Sequence, residues 1–283
     1  MREVYPAAVA RLPDVQLTEV VVDKPHADDF DAVVLLAGTE DAIDLALRAA
    51  SLGKHVFFEA PLMRNADRVI AECQANGVRL MVGWSRRFLP SIRAVRESLD
   101  AGQLGKPGLL RIHRWVPPGD GVTAEWLMHE VDLANWLFGQ PPTEVYALSR
   151  GDTAGDATGG YLQVHLGFPD GGMGMIDVST TLPDGDGYYS LSLIGTDGAA
   201  YADDHHNVHL VYGGGNATAV CSEHGVLSLV EQLREFATAI GDSREPAMDG
   251  ASALRALQVT EAARSSMETG SALHRRGERY ESA

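Results

Sequence analysis

The sequence TEDAIDLALRAASLGKHVFFEA, residues 39–60, decides the fold class of this chain. Its first part places Ala42, Leu45 and Ala49 at helical spacing, and Gly53 follows as a residue that ends the helix. The run HVFFEA comes directly after it and has the apolar character of a buried strand. A helix that leads through a glycine into such a strand is typical of a parallel sheet with crossover helices.

The same pattern occurs on both sides of this stretch. VQLTEVVVD (residues 15–23) and AVVLLAG (residues 32–38) precede it and are predicted to be strands. ADRVIAECQANGVRLMVGW (residues 66–84) follows it and repeats the order of helix, glycine and strand. The first part of the chain is therefore expected to be α/β.

The pattern changes after LGKPG, residues 104–108, to longer runs of alternating apolar and polar residues. These runs predict a large, mainly antiparallel sheet; they cover residues 109–115, 144–151, 160–168, 172–182, 188–195 and 208–214. One helix, TAEWLMHEVDLANWLFG at residues 123–139, interrupts the series, and two more close the chain. We expect two domains, over residues 1–118 and 119–283.

Composition excludes several classes of function. The formal net charge is −16 and the isoelectric point is near 4.9, so the chain would repel a nucleic acid, and it has no clustered basic run. No apolar run approaches the length of a membrane span, and the start MREVYPAAVARLPD lacks the apolar core of a signal peptide. We therefore expect a cytoplasmic protein with no nucleic-acid or membrane partner.

Metal binding and disulfide bonding are not indicated. Cys73 and Cys221 lie far apart and form no C-x-x-C motif. His205, His206 and His209 are clustered, but no carboxylate-histidine motif accompanies them. No metal is expected.

Several segments, in the right order, resemble the Gfo/Idh/MocA family of oxidoreductases. GKHVFFEAP (residues 53–61) is similar to the family signature G-K-H-V-x-x-E-K-P. VGWSRRFLPSIRAVRESLDAGQLGKPG (residues 82–108) is similar to its next strand, arginine, helix and G-K-P turn, and HEVDLANWLFGQPPTEVYA (residues 129–147) resembles the H-x-x-D helix and the strand after it. LSLIGTDGAAYAD (residues 191–203) and the terminal helices resemble later elements, so the resemblance covers nearly the whole chain.

The resemblance implies a Rossmann-like domain followed by an α/β domain with a large open sheet, and activity on a sugar, cyclitol or amino-sugar-like molecule. Departures from the family pattern concern the cofactor. No G-x-G-x-x-G occurs before Asp23, Gly38-Thr39 replaces the family's Pro-Asn, and Ala60 replaces the lysine of E-K-P. The resemblance thus implies an N-terminally truncated Rossmann-like domain with a degenerate dinucleotide site. No cofactor is expected as the chain stands, and NAD(P) is expected if the loss is compensated.

The resemblance also assigns the candidate site residues. His129 falls on the family's catalytic histidine, which acts as a general acid or base. Glu125 and Asp132 lie at helical spacing from it, so Glu125 is the second catalytic candidate and Asp132 a substrate-binding candidate. Further substrate-binding candidates are Arg87, Trp84 and His113. Asp23 and Glu59 are the candidates for cofactor binding, as vestigial positions.

Three functions agree with these residues. The first is cofactor-independent acid/base chemistry centred on His129, the second is a genuine NAD(P)-dependent dehydrogenase or reductase, and the third is a non-catalytic ligand-binding or regulatory subunit. A homo-oligomer is expected in each case, because an uncovered sheet of this size exposes apolar area that soluble monomers rarely tolerate.

Overall fold

The computed structural model describes residues 4–18, 30–36, 42–60, 65–117, 124–151, 160–183, 187–203, 208–212, 218–221 and 226–282. The described helices are α1 Val4–Val9, α2 Ala42–Ser51, α3 Ala66–Ala75, α4 Pro90–Asp100, α5 Ala124–Phe138, α6 Val226–Gly241 and α7 Gly250–Thr269. The described strands are β1 Ala32–Leu35, β2 His55–Glu59, β3 Leu80–Gly83, β4 Pro107–Trp115, β5 Glu144–Gly151, β6 Gly160–Gly167, β7 Met173–Ser179, β8 Tyr188–Gly195, β9 Ala199–Asp203, β10 Val208–Tyr212, β11 Thr218–Cys221, β12 Leu273–Arg276 and β13 Arg279–Ser282.

The chain forms two compact units. The first unit contains residues 1–88 and 224–254, and the second contains residues 89–223 and 255–283. Each unit is therefore made of two separate segments of the chain. The division into two domains, over residues 1–118 and 119–283, stays a prediction.

The first unit is built on a small parallel sheet. Its strands lie in the order β1-β2-β3 and pair in parallel. Val56, Phe57 and Phe58 of β2 are all buried, as expected for a central parallel strand covered on both faces. Phe57 meets Phe236 of α6 edge to face, with ring centroids 5.7 Å apart. Helix α6 thus returns from late in the sequence to complete this core.

A histidine of β2 is hydrogen-bonded to the residue that precedes β3. The Nδ1 atom of His55 in β2 accepts a hydrogen bond from the backbone N–H of Arg79, at 2.9 Å. Burial, and then the charge of Arg79, lower the pKa of His55. The neutral imidazole that this hydrogen bond requires is therefore the favoured form in the folded protein.

The second unit is built on a ten-stranded sheet in the order β11-β10-β9-β8-β4-β7-β6-β5-β12-β13. The neighbouring strands are antiparallel except for β4 and β7, which run parallel. One face, the inner face, carries buried side chains such as Leu110 and Ile112 of β4, and α5 lies against β4 and β7. The residues that alternate with these form the outer face.

The predicted fold class is confirmed: a small parallel sheet and a large, mainly antiparallel sheet in an α/β chain. The predicted strand over residues 15–23 is wrong for residues 15–18, which are not in a strand, and its remainder lies outside the described residues. No helix in the described part of the chain is both long and apolar enough to serve as a transmembrane span. The cytoplasmic location stays a prediction.

Candidate active site

Helix α5 carries the strongest catalytic candidate. Within residues 127–135, all of which the structure describes, every residue is buried except His129. The flanking Met128 and Glu130 are both completely buried. A helix that is apolar on nearly all sides is normally a core helix. The accessible imidazole of His129 is therefore the feature of this segment that can meet a small molecule.

The other candidates on α5 lie on either side of His129. Asp132 is buried, with 1% of its surface exposed, and lies three residues further along the helix. Glu125 lies in the first turn of the helix, but its side chain is outside the described part of the structure. The helix therefore brings His129 and Asp132 onto neighbouring positions, while the role of Glu125 stays a prediction.

A buried ion pair next to His129 was missed at the sequence level. The carboxylate of Glu130 lies 3.2 Å from Arg114 Nη1 of β4, and its other oxygen lies 3.5 Å from the Tyr189 hydroxyl of β8. The sequence shows only that Glu130 lies in a helix with many apolar residues. A solvent-exposed glutamate would give the same sequence pattern, so the sequence alone does not indicate that Glu130 is buried and paired.

His113 lies on the other side of the sheet. Leu110, Ile112 and Arg114 alternate with it on β4 and belong to the inner face, so His113 belongs to the outer face. There its Nδ1 atom lies 3.5 Å from Asp177 Oδ2, and its ring meets Trp115 edge to face. His113 and His129 are therefore not brought together.

The remaining candidates belong to the first unit. Trp84 is buried, with 1% of its surface exposed, and so is Arg87, with 6%. Arg87 Nη1 donates a hydrogen bond to the carbonyl of Ala247 at 3.0 Å. Asp23 lies outside the described residues.

Glu59 has an incompletely satisfied carboxyl group at the end of β2. Its Oε2 atom is buried and has no hydrogen-bond partner among the described residues. Burial raises the pKa of Glu59. Burial, and then the charge of Glu59, also raise the pKa of Tyr5 in α1. The carboxyl end of β2 is therefore a place where a donor group on a ligand would find an acceptor.

We expect Glu59→Gln to raise the melting temperature at neutral pH. A raised pKa means that the folded protein favours the neutral acid, so the wild type loses stability as pH rises through that pKa, and glutamine does not. The gain, about 1–3 °C, should be present at pH 7–8 and disappear near pH 4. Thermal melts across this range measure it, with the exposed Glu97→Gln as the control. A gain that is independent of pH would contradict the assignment.

No metal site is formed by the described residues: they contain no group of three or more histidine, cysteine, aspartate or glutamate side chains that could hold an ion. His205 and His206 lie outside the described residues, and His209 is described only as part of the backbone of β10.

Known proteins are similar to this chain along most of its length. Residues 92–201 match the family model described as the GFO/IDH/MocA C-terminal domain. Myo-inositol 2-dehydrogenase of Thermotoga maritima is 29% identical over 266 residues, covering 85% of this chain and 78% of that protein. The scyllo-inositol 2-dehydrogenase (NAD(+)) of Bacillus subtilis is 26% identical over 267 residues, covering 85% and 76%. The crystal structure of a probable dehydrogenase from Thermotoga maritima is similar with a TM-score of 0.74 at 26% identity, covering 87% of this chain and 81% of that chain.

Proposed function

Because the chain belongs to the Gfo/Idh/MocA family, we propose that it is an oxidoreductase-type enzyme acting on a polyhydroxylated small molecule of the sugar or cyclitol class. The observation that carries the proposal is that His129 is partly exposed on an otherwise buried stretch of α5. The two inositol dehydrogenases among the relatives support the substrate class.

The proposed role of His129 is proton transfer. Oxidation of a secondary alcohol removes a proton from the hydroxyl oxygen and a hydride from the carbon, and reduction returns both. An imidazole gives and takes protons near neutral pH, so it can serve as the base in one direction and the acid in the other. Asp132, three residues along the same helix, is placed to influence the charge of the imidazole.

The residues present fit a nicotinamide cofactor only in part. Glu59 offers a buried carboxylate oxygen at the end of β2, where the resemblance places the nicotinamide. The diphosphate of a dinucleotide needs backbone N–H groups from a glycine-rich turn that opens a helix. No such turn leads from a strand into a helix within the described residues, and Ala60 stands at the position of the E-K-P lysine. The described residues therefore do not fit the diphosphate.

A second candidate function follows from that poor fit. Proton transfer at His129 without a cofactor, as in isomerisation, elimination or hydration beside a carbonyl group, uses the same substrate class and the same base. Ala60 favours this alternative, because alanine can neither pair with an anionic group nor donate to a substrate oxygen. The third alternative is a ligand-binding subunit that does not turn its ligand over.

Calorimetric titration and turnover on the full chain separate these functions. NAD⁺, NADH, NADP⁺ and NADPH are titrated in turn, and turnover of myo-inositol and scyllo-inositol is followed by the reduced-nicotinamide absorbance. Micromolar binding with turnover establishes the dehydrogenase. Without nucleotide binding, exchange of solvent deuterium into an inosose beside its carbonyl establishes the cofactor-free enzyme. If the chain binds these polyols but shows neither reaction, the enzymatic proposal is overturned in favour of the binding protein.

We further propose that copies of the chain associate through the outer face of the large sheet. Among the side chains that the structure describes, five large apolar ones are exposed on that face: Leu148, Tyr161, Met173, Ile194 and Tyr201. A concavity of about 580 Å³, lined in part by Trp115 and Tyr161, lies among them. Apolar area of this extent on one face marks an association surface.

Sedimentation velocity at micromolar concentration should therefore show a species of at least twice the chain mass of 30.3 kDa. Replacing Met173, the most exposed of the five, by aspartate should shift the distribution towards the monomer, because association would bury the introduced charge. The exposed Gln74→Asp on α3, which is not part of the large sheet, is the control. A single monomeric species for the wild type would contradict the proposal.

A further inference from the structure

The cluster formed by Glu130, Arg114 and Tyr189 lies directly beside the proposed catalytic residue. Glu130 is completely buried, Tyr189 is 8% exposed, and the Arg114 side chain is 19% exposed. A buried carboxylate is stable only when charged or hydrogen-bonding groups compensate its lost hydration. Glu130 is thus a costly group in the core, and its partners on the sheet offset that cost.

The geometry shows what the carboxylate connects. Arg114 of β4 and Tyr189 of β8 are paired residues in the antiparallel register of the two strands, and both belong to the inner face. Oε1 of Glu130 faces Arg114 and Oε2 faces Tyr189, at 3.2 and 3.5 Å. The two oxygens thus span neighbouring strands, which fixes the position of the side chain both along the strands and across them.

Two further contacts of α5 lie towards its C-terminal end. Phe138 stacks on Phe168 with ring centroids 3.7 Å apart and the planes 7° from parallel. Arg96 of α4 donates a hydrogen bond to the carbonyl of Trp136 at 2.5 Å. These contacts secure the last turn of the helix. The contacts of Glu130 secure the turn that carries His129.

We propose that Glu130 is a positioning residue, whose carboxylate, held between Arg114 and Tyr189, sets the rotation of α5 and so aims the imidazole of His129. This inference rests on the proposed catalytic role of His129. Consecutive helix residues are about 100° apart, so His129 lies roughly a quarter of a turn around the helix from the anchor. A rotation of about 10° moves a group about 6 Å from the helix axis by about 1 Å, and a displacement of that size can cost about 100-fold in rate.

Two variants that keep the volume of the site test the proposal. Glu130→Gln removes the charge, and Tyr189→Phe removes only the hydroxyl that faces Oε2. Leu166→Val, in the same inner face but on β6, is the control for a loss of packing. All are compared well below their melting temperatures. The readouts are the nuclear magnetic resonance signals and titration of the His129 imidazole, and kcat and KM.

We expect both variants to shift the His129 signals and their titration midpoint, and to lower kcat about tenfold or more while KM changes little. The control should lower the melting temperature and leave His129 and kcat as in the wild type. The proposal is overturned if Glu130→Gln and Tyr189→Phe reduce only the melting temperature. If turnover proves independent of His129, the proposed function fails, and the resonance measurement still decides whether Glu130 orients this imidazole.

Discussion

Replacing Gly195 by alanine is expected to lower the stability of the chain by about 3–5 kcal/mol, the range of severe steric substitutions in a core. A Cβ atom at this position would lie 1.9 Å from the carbonyl oxygen of Leu104 and 3.0 Å from that of Lys106. Both are backbone atoms, so no side chain can rotate away. The loop around residues 104–106 and the turn that ends β8 would have to separate.

That separation breaks the hydrogen bonds that join the two segments. Thr196 N–H donates to the carbonyl of Lys106 at 3.0 Å, and Asp197 N–H donates to that of Leu104 at 3.2 Å. At about 2–4 °C per kcal/mol for a chain of this size, the melting temperature should fall by about 10 °C. Gly187→Ala, just before β8, is the matched control, because no atom lies within 4 Å of its added Cβ. Thermal melts measure both variants. If the melting temperature of Gly195→Ala lies within 2 °C of that of the control, the expectation is contradicted, because such a difference corresponds to only about 0.5 kcal/mol, the usual effect of a surface substitution.

The largest expected effect on activity is that of His129→Ala. If His129 transfers the substrate proton, its removal should lower kcat by about 100- to 10,000-fold, the usual contribution of a general acid or base. Binding of the polyol should change far less, because the imidazole contributes mainly when the proton moves. Calorimetry for binding and steady-state kinetics for turnover measure the two quantities separately.

The pH dependence of turnover shows whether His129→Ala lowers kcat by removing a proton-transfer group or by disturbing the structure of the site. The wild-type profile should contain a limb that disappears in His129→Ala, and added imidazole should restore part of the rate. His274→Ala, on β12, removes an imidazole elsewhere in the second unit and is the control. If His129→Ala keeps more than about a tenth of the wild-type kcat, the proton-transfer role is wrong.

The sequence predicted the fold correctly where the pattern of apolar residues in a segment reflects which of its side chains are buried. The continuous apolar run of β2 predicted a strand covered on both faces, and Val56, Phe57 and Phe58 are buried. Alternation along β4 likewise predicted a sheet with two different faces, and Arg111 and Ile112 lie on opposite ones. Both signals are local, so they depend on nothing distant in the chain.

Features that depend on distant partners could not be predicted in this way. Helix α6 has an ordinary amphipathic pattern, and nothing in its period indicates that Phe236 packs on Phe57. Glu130 gives the same one-letter pattern whether it is exposed or held by Arg114 and Tyr189. The close approach at Gly195 is a contact with a loop about ninety residues earlier. In the candidate site, the family motif made His129 a candidate, while the proposed anchoring role of Glu130 could not be predicted.

The division of each unit into two separate segments constrains how the chain can be synthesised and cut. The strands β1, β2 and β3 leave the ribosome early, but α6, whose Phe236 packs on Phe57, follows only after strands β4 to β11 of the large sheet have been translated. The large sheet in turn lacks β12 and β13 until residues 273–282 are made. Neither core can close before its second segment has been translated, so a nascent chain keeps apolar surface exposed until then, and chaperones compete with aggregation for that surface. No single cut in the gene separates the two units from each other.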